Sequence, residues 1–353
     1  MGSFGRKFLL AGRGGLNLTH SEPIERFMAR YGPEAEALRP AIEAFGPEAL
    51  RAWCEGLGQQ TFVGSSGRVF PVAFKASPLL RAWLDRLTGL GVEFRPRHRW
   101  TGWQEGKLAF ATPDGQVLVR PAATLLALGG GSWARLGSDG NWSGILSAEG
   151  IAVSPLRPAN SGVVHAWSEF FRTKFAGEPL KRIAVSIGGL TVRGEAIVTA
   201  QGLEGGVIYS VGRAIREALD RDGVAPLLID LRPDLDEAAL RRKMGVGAQS
   251  RANALRRAGL PPVASSLLRE LGGEPKRVPL LVTGLAPLDR AISTAGGVAL
   301  AGLDARFMFR DHPGVFAAGE MLDWEATTGG YLLQACFSTG WWAAGGVLAR
   351  LSI

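Results

Sequence analysis

The chain has 353 residues, 46% hydrophobic and 20% charged, with a formal net charge of +8 and a mean hydropathy of +0.10. This is the composition of a soluble globular protein long enough for two or three domains, and it excludes wholesale disorder. No apolar run is long enough for a membrane span, no signal-peptide pattern opens the chain, and two cysteines without a CxxC exclude a disulfide framework or a dithiol centre. A reducing cytoplasm is the expected compartment. Only 7 of the 40 basic residues are Lys, and the local clusters (Arg241-Arg242-Lys243, Arg256-Arg257) sit on amphipathic patterns. They are read first as solvated helix faces and second as a field for an anionic ligand. A nucleic-acid partner is not expected.

Residues 5–20 pack four Gly and three cations (Arg6, Lys7, Arg13) into sixteen positions. Helical patterning follows over 23–45, interrupted at Pro33 and Pro40. Ser77-Pro78 opens a helix with Leu79, Leu80, Trp83, Leu84 and Leu87 on one face, stopped near Gly89 and Gly91. Strand alternation is expected at 92–94, 107–110 and 117–119, the last after an Asp114-Gly115 turn. The apolar run 124–128 ends in Gly129-Gly130-Gly131 and predicts a buried parallel strand feeding a ligand-ready loop.

Beyond Pro155 the character changes. Strands are expected at 181–187, 190–192 and 195–199, forming a small antiparallel or barrel-like unit. A helical stretch follows over 234–271, with Asp234 as a cap for 235–244 and a second helix between Pro261-Pro262 and Gly272-Gly273. Residues 314–319 return to strand-into-glycine, and 334–351 close the chain as a helix. The expected division is 1–154, an inserted 155–287, and 288–353.

Three glycine-rich loops fall at predicted strand ends: 12–18, Gly129-Gly130-Gly131-Ser132, and Gly319-Glu320 with Thr327-Thr328-Gly329-Gly330-Tyr331. Backbone N–H groups converge in such loops and hold anions. Each alone reads as a structural turn; together they favour one extended anionic ligand across the sheet edge.

The segment GRKFLLAGRGGLNLTHSEP (5–23), the strand end TLLALGGGS (124–132), TAGGV (294–298) and GVFAAGEMLDWEATTGGYLLQACFSTG (314–340) resemble, in order, motifs of the HI0933-like (BaiN-like) NAD(P)- and FAD-dependent oxidoreductases. The resemblance implies an α/β, Rossmann-like FAD-binding domain interrupted by an inserted β-barrel-like plus helical domain that shapes the substrate pocket. The family opens with a βαβ unit carrying GxGxxG, and this sequence has no GxGxxG. The resemblance therefore carries the expectation that roughly 30 residues, one βαβ length, are absent, through a start-site error or genuine loss.

By the same resemblance, Arg6, Lys7, Gly12, Gly14, Gly15, Asn17 and Leu18 line the flavin and its diphosphate edge, with surface charge the alternative for the two cations. Trp100 lies beside adenine or in the core. Gly129 and Gly130 pass close to the cofactor. Gly319 ends the third strand. Glu320 sits near the ribityl chain or caps a helix. Gly329, Gly330, Tyr331, Leu332 and Gln334 offer backbone N–H groups to the flavin pyrimidine end.

No catalytic residue is assigned. His20, Asp323, Trp324, Glu325 and Tyr331 could act on a substrate, and the His residues lack metal-ligand spacing. Cys336 is expected to be a buried packing residue. The implied activity is hydride transfer between NAD(P)H, FAD and a small organic substrate such as a conjugated alkene. The alternatives are a truncated or degenerate flavoprotein without activity, or an RNA-associated flavoprotein.

Overall fold

The computed structural model describes residues 3–12, 14–245 and 250–352. The chain divides into two compact units, Met1–Arg157 with Ser293–Ile353, and Pro158–Ile292.

The first unit opens with α1 (Arg6–Ala11), within the glycine- and cation-rich segment, followed by the short strand β1 (Thr19–His20). Then come α2 (Ile24–Met28), α3 (Ala35–Ala44) and α4 (Pro47–Gly56). Gly32, in the left-handed region at φ 58°, turns the chain just before Pro33. Pro40 does not end its helix as expected. It lies exposed inside α3, where the carbonyl it deprives of a donor can turn to water. Pro47 starts α4 in the position that suits a residue without N–H.

β2 (Thr61–Val63) and β3 (Arg68–Pro71) pair antiparallel, and β1 adds to β3 with Thr19 opposite Val69. α5 (Ala76–Gly89) begins before the expected Ser77 cap, with Lys75 at the cap position, so Pro78 sits inside its first turn. Residues 92–94 form no strand, and Val92 is exposed. β4 (Arg99–Gln104), β5 (Lys107–Thr112) and β6 (Gly115–Val119) make an antiparallel meander.

β7 (Thr124–Leu126) is shorter than its apolar run. Its Leu126 is buried but Leu125 is 37% exposed, so the strand is not enclosed on both faces. After α6 (Trp142–Ala148), strand β8 (Val153–Ala159) leads out of this unit.

In the second unit β9 (Val163–Val164) and α7 (Glu169–Phe175) precede β10 (Pro179–Ile187) and β11 (Leu190–Thr199). β11 is one strand where two were expected: it runs unbroken through Gly194, where a side chain would press on Val207 of the covering helix. β12 (Gly202–Glu204), α8 (Gly206–Ser210), α9 (Gly212–Asp222) and β13 (Ala225–Asp230) follow. The unit closes with α10 (Glu237–Met244), α11 (Arg251–Arg257), α12 (Pro262–Leu271), β14 (Val278–Val282) and β15 (Gly284–Leu285).

The cap of α10 is Asp236, which accepts from the Ala239 N–H at 2.6 Å; Asp234, the expected cap, instead holds Arg232. The strands form one antiparallel sheet in the order β14-β13-β10-β11-β12-β9-β15. It has two ends, so among the described residues it is an open sheet and not a closed barrel. Phe171, Ile215, Ile229 and Leu267 centre a core made wholly from this unit.

β16 (Ser293–Val298) returns the chain to the first unit. β17 (Val315–Ala317) then pairs with β7 in parallel, Val315 opposite Thr124 and Ala317 opposite Leu126. Parallel register puts the carboxyl ends of the two strands side by side, so the loops beginning at Gly129 and Gly319 share one sheet edge. α13 (Tyr331–Leu351) starts three residues before its apolar pattern does and packs across both strands.

Leu16, Leu18, Leu50, Cys54 and Leu79 form a separate small core beneath α4 and α5. Burial there pushes the Cys54 thiol up to about 12. At pH 8 the thiolate fraction is then about 1 in 10⁴, against a fifth or more for an ordinary cysteine. A thiol reagent is expected to label Cys54 only as fast as the unit opens, which mass spectrometry of the labelled native and unfolded chains reads directly.

Candidate functional site

The loops after β7 and β17 meet α1 and β16 on one carboxylate. Glu320 follows β17, and its Oε2 accepts the Gly130 N–H at 3.1 Å from the loop after β7. Its Oε1 accepts the Thr294 N–H at 3.1 Å from β16. Lys7 of α1 reaches the same carboxylate and the Ser132 Oγ, both at 3.4 Å. Thr294 repeats the arrangement one step away, its Oγ1 accepting from Gly131 N–H at 2.9 Å and Ser132 N–H at 3.3 Å.

Gly130 is a glycine because a Cβ there would lie 2.3 Å from the Thr294 hydroxyl and 3.0 Å from the Glu320 carboxyl carbon. The loop is held from its other side by Trp142, whose Nε1–H donates to the Gly129 carbonyl at 3.0 Å. Trp324 donates in the same way to the Gly319 carbonyl, and the Gly319 N–H goes to Thr339 Oγ1 of α13.

A second group gathers where α13 begins. Gly330 stands at its N-cap with φ 100°, and no side chain caps the helix. The first N–H groups of such a helix have no intrahelical acceptor and carry its positive end. A Cβ on Gly330 would lie 2.5 Å from the Thr19 carbonyl oxygen, so the requirement for glycine comes from β1 packed against the helix start. On the elements that meet here, three buried polar atoms have no hydrogen-bond partner among the described residues: Asn17 Oδ1, Thr19 Oγ1 and Gln334 Oε1. Gln334 is otherwise anchored, its Nε2 donating to the Phe45 carbonyl at 2.7 Å and to Ser338 Oγ. Unpaired buried acceptors cost free energy unless something donates to them.

Tyr331 is buried beside this group. Its hydroxyl donates to Glu22 at 2.5 Å, Arg30 forks onto the same carboxylate at 2.9 and 3.0 Å, and the Tyr31 hydroxyl donates to the Tyr331 carbonyl. The Arg30 hydrogen bonds hold the Glu22 carboxyl below its ordinary value, while burial raises the Tyr331 phenol. His20 stacks on the Tyr331 ring at 5.5 Å. Its Nδ1 accepts the Glu22 N–H at 3.1 Å, which leaves Nε2 as the protonated nitrogen facing the Ser66 carbonyl at 3.0 Å. Both nitrogens are thus engaged within the protein.

The structure therefore joins Lys7, Gly129, Gly130, Gly319 and Glu320 in one group, and Asn17, Gly329, Gly330, Tyr331, Leu332 and Gln334 lie on the elements of the other. Arg6 is exposed on α1 beside Lys7, and Gly14 has open space where a side chain would go. Arg13 lies outside the described residues. Several expected lining residues are packed within the protein on their side-chain side. Leu18 is fully buried in the small core and lines no ligand surface with its side chain. Gly12 is pressed against the start of α5, where a Cβ would meet Ala76 at 2.6 Å, and Gly15 faces the Phe74 ring. A Cβ on Gly329 would meet the Tyr331 ring at 2.5 Å. Trp100 packs edge-on against Trp103 at 5.0 Å beside the main core of the unit, and its Nε1–H is buried without a partner.

Asp323 accepts from Ser154 at 2.5 Å, and Trp324 is buried in the core. Cys336 is partly exposed by area, not buried as expected; its sulfur still sits in a dense shell that pushes the thiol up to about 12. The sequence reading missed Thr294, Glu22 and Arg30 as members of these groups. TAGGV pointed to the first, whereas nothing local marks Glu22 and Arg30, which meet Tyr331 only through the fold.

A family model for the HI0933-like protein Rossmann domain matches residues 1–346. A 3-dehydro-bile acid delta(4,6)-reductase of Clostridium scindens is 24% identical over 376 residues, spanning 97% of this chain and 89% of that protein. Among solved structures, the open conformation of a flavocytochrome c3 fumarate reductase aligns with 15% identity and a TM-score of 0.49, over 96% of this chain and 71% of that one. A 3-ketosteroid-delta4-(5alpha)-dehydrogenase of Rhodococcus jostii RHA1, solved with 4-androstene-3,17-dione, aligns with 15% identity and a TM-score of 0.48, over 99% and 90%. Among the described residues no helix is long and apolar enough to cross a membrane, and no His, Cys, Asp and Glu cluster could hold a metal ion.

Glu320→Ala leaves two backbone N–H groups without an acceptor and removes the ion-pair partner of Lys7. It is expected to cost about 2–4 kcal/mol in chemical denaturation, with Glu320→Gln costing less because the amide oxygen keeps one bond. Because the Glu22 carboxyl is lowered, its contribution to stability is complete above its ordinary value of 4.5 and is lost as pH falls below it. Glu22→Gln should flatten the acid limb of a stability–pH curve, and Tyr331→Phe should lower its plateau by about 0.5–1.5 kcal/mol.

Proposed function

The chain belongs to the HI0933-like family, and from that premise we propose that it is an FAD-dependent oxidoreductase that reduces a conjugated carbon–carbon double bond of a small organic substrate with electrons from NAD(P)H. The observation that carries the reading is the pair of unmet demands where α13 meets β1. An uncapped helix start offers N–H donors, and Asn17, Thr19 and Gln334 offer buried oxygens without partners. The pyrimidine edge of a flavin, acceptor–donor–acceptor in order, answers both kinds of group at once. When bound, the flavin supplies the hydride chemistry.

The chain's own residues have distinct tasks in this reading. The first N–H groups of α13 hold negative charge at the pyrimidine end, which favours the reduced ring. Asn17 orients the ring by accepting from the one N–H of that edge. Glu320 Oε1 has a lone pair left beyond the Thr294 N–H it accepts, so it can take a sugar hydroxyl while keeping the loops in place. Lys7 supplies a cation beside it. Tyr331, Glu22 and Arg30 fix the helix start so that its N–H groups point consistently. No residue is assigned to the diphosphate, since GxGxxG does not occur in the sequence.

Support for the substrate class comes from the 24% identical relative, described as a reductase of a 3-dehydro bile acid. In that chemistry a carbonyl conjugated to the double bond makes it a hydride acceptor. The test is purification followed by visible absorbance and heat release of the cofactor. The expected result is non-covalent FAD in near-stoichiometric amount, a slow loss of NAD(P)H absorbance alone, and a faster one on adding a conjugated enone. Asn17→Leu should weaken flavin retention by about tenfold, the equivalent of one hydrogen bond. A colourless protein that cannot be loaded with FAD overturns the reading.

A further inference from the structure

The second unit carries 19 Lys and Arg against 14 Asp and Glu over residues 158–292, so it holds five of the chain's eight net positive charges. Part of this excess has a local explanation. Arg241, Arg242 and Lys243 occupy the last turn of α10, and Arg256 and Arg257 that of α11, where cations offset the negative helix end. One group of cations has no such explanation. A cavity of about 560 Å³ lies between α7, β10, the turn after β13 and the start of α12, and Lys174, Lys181, Arg182 and Arg232 all line it.

Arg232 is accounted for, since it forks onto Asp234 and donates to the Ala258 carbonyl. Lys174 lies over the Phe170 and Phe175 rings at 5.3 and 5.7 Å. Lys181 and Arg182 make no hydrogen bond or ion pair among the described residues, although Arg182 is within electrostatic reach of Asp234 and Glu178 lines the same cavity.

The backbone is bent to bring these two cations together. Successive strand residues point to opposite faces. The β10–β11 ladder shifts register between Leu180, opposite Ala196, and Ile183, opposite Gly194, so that Lys181 and Arg182 together face the single residue Glu195. This bulge lets neighbouring side chains line one cavity. Arg182 pays for it with φ 53°, a left-handed conformation that glycine adopts freely and arginine does not. A bulge needed only for shape would be better served by glycine. Keeping a long cation in a strained position beside another cation makes physical sense when an anion sits between them.

We propose that this cavity is a binding site for the diphosphate of a nucleotide-sized ligand, with Lys181, Arg182 and Lys174 on the phosphate oxygens and Pro261, Pro262 and Val263 against its less polar part. The volume is in the range of small-molecule sites. A single-stranded nucleic acid would need exposed aromatic rings within the cavity for stacking; Phe175, which lines it, is 5% exposed, and Phe170, 61% exposed, is not among the lining residues and has Lys174 over its ring. The site lies wholly within the second unit and does not rest on the flavin reading.

The experiment is calorimetric titration of the purified protein at about 0.15 M salt, where weak surface attraction is screened. The probes are inorganic pyrophosphate, ADP and an eight-residue oligoribonucleotide. ADP and pyrophosphate are expected to saturate one site below about 1 mM. Arg182→Gly should weaken both at least tenfold while melting at or above the parent temperature, because it relieves the backbone. Lys181→Ala should weaken both without changing the melt. The proposal is overturned by absence of saturation in this range, by affinity unchanged in both variants, by tighter binding of the oligoribonucleotide than of ADP, or by an Arg182→Gly protein that melts lower yet binds ADP normally. The protein is loaded with FAD and freed of excess before titration, so that ADP does not enter an empty flavin site; a protein that takes up no FAD fails the flavin reading alone, and its ADP binding is then judged by the Arg182 and Lys181 variants.

Discussion

The first unit depends on a single carboxylate satisfied by donors from far apart in the chain. Glu320 takes the Gly130 N–H across 190 residues and the Thr294 N–H across 26, with Lys7 completing the set. Loops at the ends of parallel strands present backbone N–H groups that the sheet itself cannot use. A charged acceptor bonds such groups more strongly than a neutral one. Remove the carboxylate and the loop glycines, chosen for close approach, have nothing to approach. The in-register pairing of β7 with β17 is the precondition, because only parallel strands bring both loops to the same edge.

α13 is the element that converts this edge into a site. One face of the helix carries Gln334, Ser338 and Thr339, all fully buried. Ser338 donates to the Phe45 carbonyl, and Thr339 accepts the Gly319 N–H. These bonds seat the helix against the α3–α4 corner and against the loop after β17. Its start is fixed independently by Tyr331, Glu22, Arg30 and Tyr31. With both attachments made, the uncapped first turn is presented rigidly, which a helix end held by apolar contacts alone would not achieve. The polar atoms left over at that end are then a property of the position, not of loose packing.

The second unit follows a different rule. Its sheet is antiparallel throughout, its core is drawn from its own residues, and its local chemistry is set by one bulge in β10. A bulge is among the few ways a strand can direct adjacent residues into the same space. That is a small change in backbone with a large electrostatic consequence.

What was legible in the sequence was whatever is decided within a few residues or by an extended motif. Alternation found β5, β6, β10 and the span of β11. Proline and glycine punctuation marked the limits of α12 and the end of α5. The ordered glycine motifs identified the family and, through it, singled out Glu320, Gly130 and Lys7 as candidates, which hydrogen bonds then join. The failures were equally local in cause. Propensity put a strand at 92–94 without a neighbour to pair it, and read Asp234 as a cap when an arginine two residues away competed for it. The resemblance places Leu18 and Gly12 along the ligand, whereas the Leu18 side chain lies in the small core and a Cβ on Gly12 would meet Ala76. The tertiary structure alone decided which acceptor met which donor. The Glu22–Tyr331 bond spans 309 residues, the orphaned oxygens of Asn17, Thr19 and Gln334 exist only because β1 abuts α13, and Arg182 is strained only because its strand gains a residue on its partner. Hydrogen bonds and charge pairs act over a few ångströms, so their partners are fixed by the folded path of the chain, while periodicity and turn chemistry are written in consecutive residues.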